Sequence, residues 1–151
     1  MIASTCKEHE HAYLYELGAK EIIDRAELLE INKPLQKTRW VAAIDSVGGQ
    51  TLMNVLASTH YSGCVTTCGL AQDASFKGNV MPFILRNITL YGIDSVMRPL
   101  PDRIEAWQRI ADLIDTSLLQ TIRTEITLED TIDYAEKLMN GDVRGRIVIR
   151  M

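Results

Sequence analysis

"WVAAIDSVGGQTL", residues 40–52, is the stretch that decides the fold. An apolar run ending on the carboxylate of Asp45, a turn carrying Gly48 and Gly49, and an apolar helical phase beginning at Leu52 read as strand, turn and helix. A strand this continuously apolar (39–47) is of the type buried on both faces of a parallel sheet, which needs crossover helices and further strands beside it. The flanking sequence provides both.

Downstream, "GGQTLMNVLASTHY" (48–61) reads as a helix with Leu52, Val55 and Leu56 at helical spacing, and "GCVTTCGL" (63–70) and "ITLYGIDSV" (88–96) read as strands. "AQDASFKGNVMPFILRN" (71–87), with its Gly and Pro, reads as a long loop between them. "PDRIEAWQRIADLID" (101–115) predicts an amphipathic helix: Pro101 and Asp102 suit its first turn, and Ile104, Trp107, Ile110 and Leu113 form its core face. A helix over 128–141, capped by Thr127 and stopped at Asn140-Gly141, precedes a last strand over 144–151. Upstream lie a strand at 1–5, a helix over 7–19 with Ala12, Leu14, Tyr15 and Leu17 facing the core and Gly18 ending it, and a strand at 20–24. Residues 25–38 hold the short helical stretch "RAELLE" and a loop containing Pro34. Strands alternating with helices imply an α/β layered fold with a largely parallel sheet. A strand at the first residues is an unusual place for a domain to begin, which raises the expectation that chain precedes it.

With 151 residues, 46% of them hydrophobic, there is material for one core and little room for a second. A formal net charge of −4 argues against a general nucleic-acid binder, so any anion site must be local. No apolar run approaches the roughly 20 residues of a membrane span, and "MIASTCKEHEH" lacks the basic start and apolar middle of a signal peptide. The expectation is a cytoplasmic protein without nucleic-acid or membrane partners. Cys6, Cys64 and Cys68 are an odd number without a disulfide-framework spacing. On one strand, Cys64 and Cys68 would stand about 13 Å apart, too far to share a zinc ion without a bend. They read as small apolar strand residues. His9, His11 and His60 form no metal signature.

Taken together, "LGAKEIID", "WVAAIDSVGGQTL", "GCVTTCGLA", "VMPFILRNITLYGIDSVM" and "GDVRGRIVIR" resemble, in order and spacing, the second half of zinc-independent medium-chain dehydrogenases/reductases. Within that superfamily they are most similar to the NADPH-dependent quinone oxidoreductase subgroup, which includes acrylyl-CoA reductases. The resemblance implies a partial Rossmann-like parallel sheet beginning at the family's second strand. The first strand and its glycine-rich, pyrophosphate-binding loop do not occur in these residues. It divides the chain into a nucleotide-binding part at 1–120 and a segment at 121–151 whose helix and strand return, in the family, to the catalytic domain. It also implies hydride transfer from NADPH to an enone, quinone or acyl-CoA substrate, and a homodimer formed through strand 88–96. No general acid, nucleophile or metal site stands out, and the catalytic residues stay unassigned. A non-catalytic remnant or oligomerisation module that binds no cofactor is the alternative, because a sheet missing its central strand has two edges to satisfy.

The second strand of a dinucleotide fold ends at the adenosine ribose, where a carboxylate suits NAD and hydroxyl or basic groups suit a 2′-phosphate. Here the residues are Ser4, Thr5 and Lys7. The plain alternative makes Thr5 a helix cap and Lys7 a solvated charge. Asp45 and Ser46 end a central strand, either touching cofactor or capping the helix that follows. The resemblance places Gly69, Leu70 and Ala71 beside the nicotinamide; a tight turn would also account for Gly69. Phe83 and Ile84, with Leu85, are apolar residues in an expected loop, placed by the resemblance near the active-site cleft and the dimer contact, or else packed in the core. Arg86 is either a phosphate or substrate partner or simply exposed. Arg146 matches a family position near the NADP site or is a basic edge-strand residue.

Overall fold

In a computed structural model of the chain, the described residues are 1–30 and 33–151. The loop expected through 31–38 therefore includes two residues, Ile31 and Asn32, outside that set. The first strand, β1 (Ile2–Thr5), leads through a 3-10 turn at Glu8–Glu10 into α1 (His11–Glu16). Gly18 ends the helix as expected: at φ +94° it lets its own N–H reach the Tyr15 carbonyl and that of Ala19 reach Leu14, the paired closure of a Schellman motif. The helix is shorter than 7–19, and Ala12 and Tyr15, expected in the core, are exposed. β2 (Glu21–Asp24) runs parallel to β1 in a register that sets Thr5 opposite Asp24.

A second sheet follows the deciding stretch. β3 (Trp40–Asp45), α2 (Gly49–Ala57), β4 (Thr59–Thr67), α3 (Met81–Arg86) and β5 (Thr89–Gly92) form a parallel sheet of order β3-β4-β5. Two expectations change here. The helix ends at Ala57, so residues 59–61 belong to β4: Thr59 is β-branched and fully buried, and its hydroxyl donates to the Val55 carbonyl at 2.7 Å instead of continuing the helix. The expected loop at 71–87 contains α3, in which Pro82 is tolerated because first-turn N–H groups have no helical acceptor. β5 lies at the sheet edge, as expected, but is shorter than 88–96.

Leu52, Val55 and Leu56 of α2 pack with Val65 of β4 and with Ile88, joined by Ile23 of β2 and by Leu28 from the 3-10 turn Arg25–Leu28 that follows it. This cluster is why Met1–Pro99 is one compact unit. The expectation that β3 is buried on both faces does not hold. Trp40 and Ala43 pack against the cluster, whereas Val41, Ala42 and Ile44 are exposed, Ile44 to 86%. β3 pairs only with β4 and β1 only with β2 among the described residues, so one edge of each is open.

The second unit, Leu100–Met151, holds α4 (Leu100–Leu113), α5 (Thr116–Ile122), β6 (Arg123–Thr127), α6 (Thr131–Met139) and β7 (Arg146–Arg150). β6 and β7 are parallel with α6 between them, a βαβ crossover. The apolar row of α4 follows the predicted period but buries no residue, and Trp107 is 66% exposed. Sequence reading misses α5 and β6 and gives Thr127 the wrong role. The Asp130 carboxylate accepts from both the N–H and the hydroxyl of Thr127, so the acid after the strand closes the turn.

Candidate functional site

Parallel strands bring their C-terminal ends to one side, and the turns after them build the site. Between the open edges of β1 and β3 lies a cavity of about 860 Å³, within the usual range of small-ligand pockets. Ile2 and Ala3 line it from β1, Ala43 and Ile44 from β3, and Ser4, Arg25, Ser46 and Val47 at the strand ends. Ser4 and Ser46 are exposed there.

Asp45, 4% exposed, is the hinge of the arrangement. Its carboxylate accepts the N–H groups of Val47 (3.3 Å) and Gly48 (3.1 and 3.2 Å) and the hydroxyl of Thr67 (2.8 Å), tying the turn before α2 to the end of β4. The turn after β4 is clasped to the same place. The Cys68 N–H donates to the Asp45 carbonyl at 2.9 Å and the Gln72 N–H to the Val47 carbonyl at 2.8 Å. The Gln72 side chain accepts the Thr51 N–H of α2 at 3.2 Å. Gly69 is needed because a Cβ there would stand 2.2 Å from the Ser46 carbonyl oxygen. Gly48 meets both demands on a glycine, with φ +71° and a virtual Cβ 2.5 Å from the Asp73 carbonyl. Leu70 and Ala71 are exposed on this clasped turn.

At the end of β1, the Thr5 hydroxyl accepts the Lys7 N–H at 3.1 Å, which shapes the turn. The neighbouring strand brings a residue that sequence reading did not single out: Arg25 donates from Nη2 to the Cys6 thiol at 3.3 Å. Phe83 packs against the core cluster while Ile84 is exposed. Arg86 is neither exposed nor turned to the cavity. Its guanidinium donates to the carbonyls of Ala57 (2.7 Å), Thr59 (3.1 Å) and Gln36, closing the C-terminal end of α2. Arg146 belongs to the second unit, where it opens β7 opposite Arg123.

Thr67, Gln72, Arg86 and Arg25 thus act through partners 19 to 50 residues away in sequence, and no local motif marks them. For Arg25 a signal does exist: it directly follows a strand that a parallel fold sets beside "STCK". The carboxylates whose pKa values are clearly lowered, Asp94, Asp115 and Glu129, are not among the residues lining the cavity. Among the described residues, no three His, Cys, Asp or Glu side chains are grouped to hold a metal ion.

Residues 1–116 match the family model described as "Zinc-binding dehydrogenase". The chain is 42% identical, over its full length, to the "Probable acrylyl-CoA reductase AcuI" of Escherichia coli, of which it covers 46%. Among solved structures, the yhdH oxidoreductase of Salmonella enterica in complex with NADP superposes with a TM-score of 0.95 at 43% identity, over 99% of this chain and 46% of that one. Bacillus subtilis yhfP with NAD bound gives 0.93 at 36% identity, with 99% and 46% covered. The chain therefore spans about half the length of the relatives it matches. It belongs to the zinc-binding dehydrogenase family, matches the second half of its quinone oxidoreductase and acrylyl-CoA reductase members, and has their Rossmann-like fold.

Proposed function

We propose that this member of the family is the NADPH-binding portion of an oxidoreductase that reduces an activated alkene or quinone, an acryloyl-type thioester among the candidates. The observation that carries the reading is the end of β1. It presents Ser4, Thr5 and Lys7 where an NAD-selective fold would place a carboxylate, and Ser4 lines a cleft of ligand size. Thr5 and Lys7 would face a 2′-phosphate, Ser46 the cofactor at the end of β3, and the clasped turn at Gly69, Leu70 and Ala71 the nicotinamide end. Asp45 would set the position of Ser46 through its hydrogen bonds to the turn. Bound NADPH supplies the hydride, and these residues supply orientation and a pocket. In this reading residues 1–120 are the nucleotide-binding part, and the segment 121–151, which holds β6, α6 and β7, returns to a catalytic domain. We assign Phe83, Ile84 and Arg146 to cofactor binding. The protein acts in the cytoplasm as a homodimer formed through strand 88–96.

Calorimetric titration of the chain with NADPH and with NADH tests this. The expected result is binding selective for NADPH. A folded chain that takes up neither cofactor would contradict the reading and favour a second one, an assembly module without cofactor. That reading has its own support: the open edges of β1 and β3 flank a single cavity, and unpaired parallel edges attract another strand.

A further inference from the structure

We infer that the cavity between β1 and β3 is a slot for one extended segment of a partner polypeptide, uncharged and rich in β-branched residues, which enters as a strand and pairs with both edges at once. This concerns the body of the cavity and stands whether or not a cofactor sits at the strand ends. β3 reads as a strand covered on both faces within a parallel sheet. Yet it pairs only with β4 among the described residues, and Ile44, which lines the cavity, is 86% exposed. β1 likewise pairs only with β2. The two edges are four and six residues long, so at about 3.3 Å per residue a single inserted strand of similar length spans both.

A buried hydroxyl marks the same place. Thr51, 6% exposed, lines the cavity, and its Oγ1 has no hydrogen-bond partner among the described residues. Such a group costs stability until something enters to bond it. The apolar side chains of Ile2, Ile23, Leu28, Ala43 and Val55 form much of the lining. Of the charged residues there, Arg39 and Glu21 pair with each other at 3.3 Å, and the Asp45 carboxylate is taken up by the turn before α2. The cavity thus offers apolar contact, two rows of unpaired backbone N–H and C=O groups, and one hydroxyl. Those are the needs of an apolar strand rather than of a charged small molecule. The chain spans about half the length of its relatives, so in them there is further polypeptide to supply such a segment.

The test adds capped peptides, each a run of valine, isoleucine and threonine residues between terminal lysines, to the full chain and reads hydrogen exchange by mass spectrometry. The backbone amides of Ile2–Thr5 and Trp40–Asp45 are expected to slow about 10-fold or more, saturably, while those of Thr89–Gly92 at the other sheet edge do not change. A proline at the centre of the run, which removes an N–H and fits no central strand, should abolish the protection. Thr51→Val should raise the thermal midpoint of the free chain by about 2–4 °C, because the orphan hydroxyl is gone. It should also weaken the peptide about 2- to 10-fold, because the bond to that hydroxyl is gone. Simple loss of packing would lower both. If none of the peptides protects β1 and β3, or if β5 is protected equally, the inference is overturned. Displacement of the peptide by NADPH would give the cavity to a small molecule, and protection of the same amides by raising the chain concentration alone would give it to a second copy. Either result also overturns it. A chain that binds the peptide and no NADPH upholds the slot while the cofactor reading falls.

Discussion

Gly69 and Gly92 are two glycines with opposite reasons to be where they are. At Gly69 a Cβ would press on the backbone of Ser46, which cannot swing away as a side-chain tip would. At Gly92 nothing lies within 4 Å of the Cβ position. Gly69→Ala should therefore destabilise the chain by about 1–3 kcal/mol, the usual cost of overpacking. Gly92→Ala should be neutral or stabilising by up to about 1 kcal/mol, through lower freedom of the unfolded chain. Urea denaturation of the two variants checks the contrast, and equal midpoints would remove the close approach as the reason for Gly69. The same scale accounts for Asp45. Its carboxylate lies under the turn it shapes, so what it offers a ligand is the position of Ser46 and Val47. Sequence reading finds Asp45 as the end of a strand, but the Thr67 hydroxyl that completes its partners lies 22 residues away and becomes visible only when β3 and β4 pair.

At the scale of elements, α5 is a short helix held by a side-chain cap. α5 begins at Asp115, which accepts both the N–H and the hydroxyl of Ser117, at 2.9 and 2.7 Å. The hydroxyl first, and then the backbone N–H, hold the Asp115 carboxyl below its ordinary value. A depressed folded-state pKa stabilises the fold above the unfolded-state value, and this contribution is lost as the pH falls through the folded one. The stability difference between wild type and Asp115→Ala should therefore be full at neutral pH and vanish in acid. Denaturation curves across that range measure it, and a difference independent of pH would show that charge plays no part. α5 and β6 are absent from the sequence reading for a related reason. In "TSLLQTIRTEIT" the apolar Leu118, Leu119, Ile122 and Ile126 keep a helical spacing straight through the boundary, so periodicity does not mark it, and the cap and the β6–β7 ladder decide where one element ends and the next begins.

For the whole molecule, β5 is the edge on which the proposed dimer depends. Tyr91 on it and Ile93 just past its end are about half exposed. Sedimentation equilibrium should find the wild-type chain dimeric, and Tyr91→Lys together with Ile93→Lys should make it monomeric, since inserted charges block edge pairing. A monomeric wild-type chain would contradict the dimer.

The alternation of apolar runs, glycine turns and periodic helices determined the class of fold, the order of most elements, the apolar row of α2 and the stop at Gly18, because these are local properties of the chain. The motif blocks carried the family. Tertiary structure alone decided which edges stay open, why Ile44 is exposed on a strand that reads as buried, why Arg86 braces a helix end, and that Arg25 stands beside Cys6. Each of those depends on register or on pairing between segments distant in sequence, and hydrophobic periodicity carries no information about either.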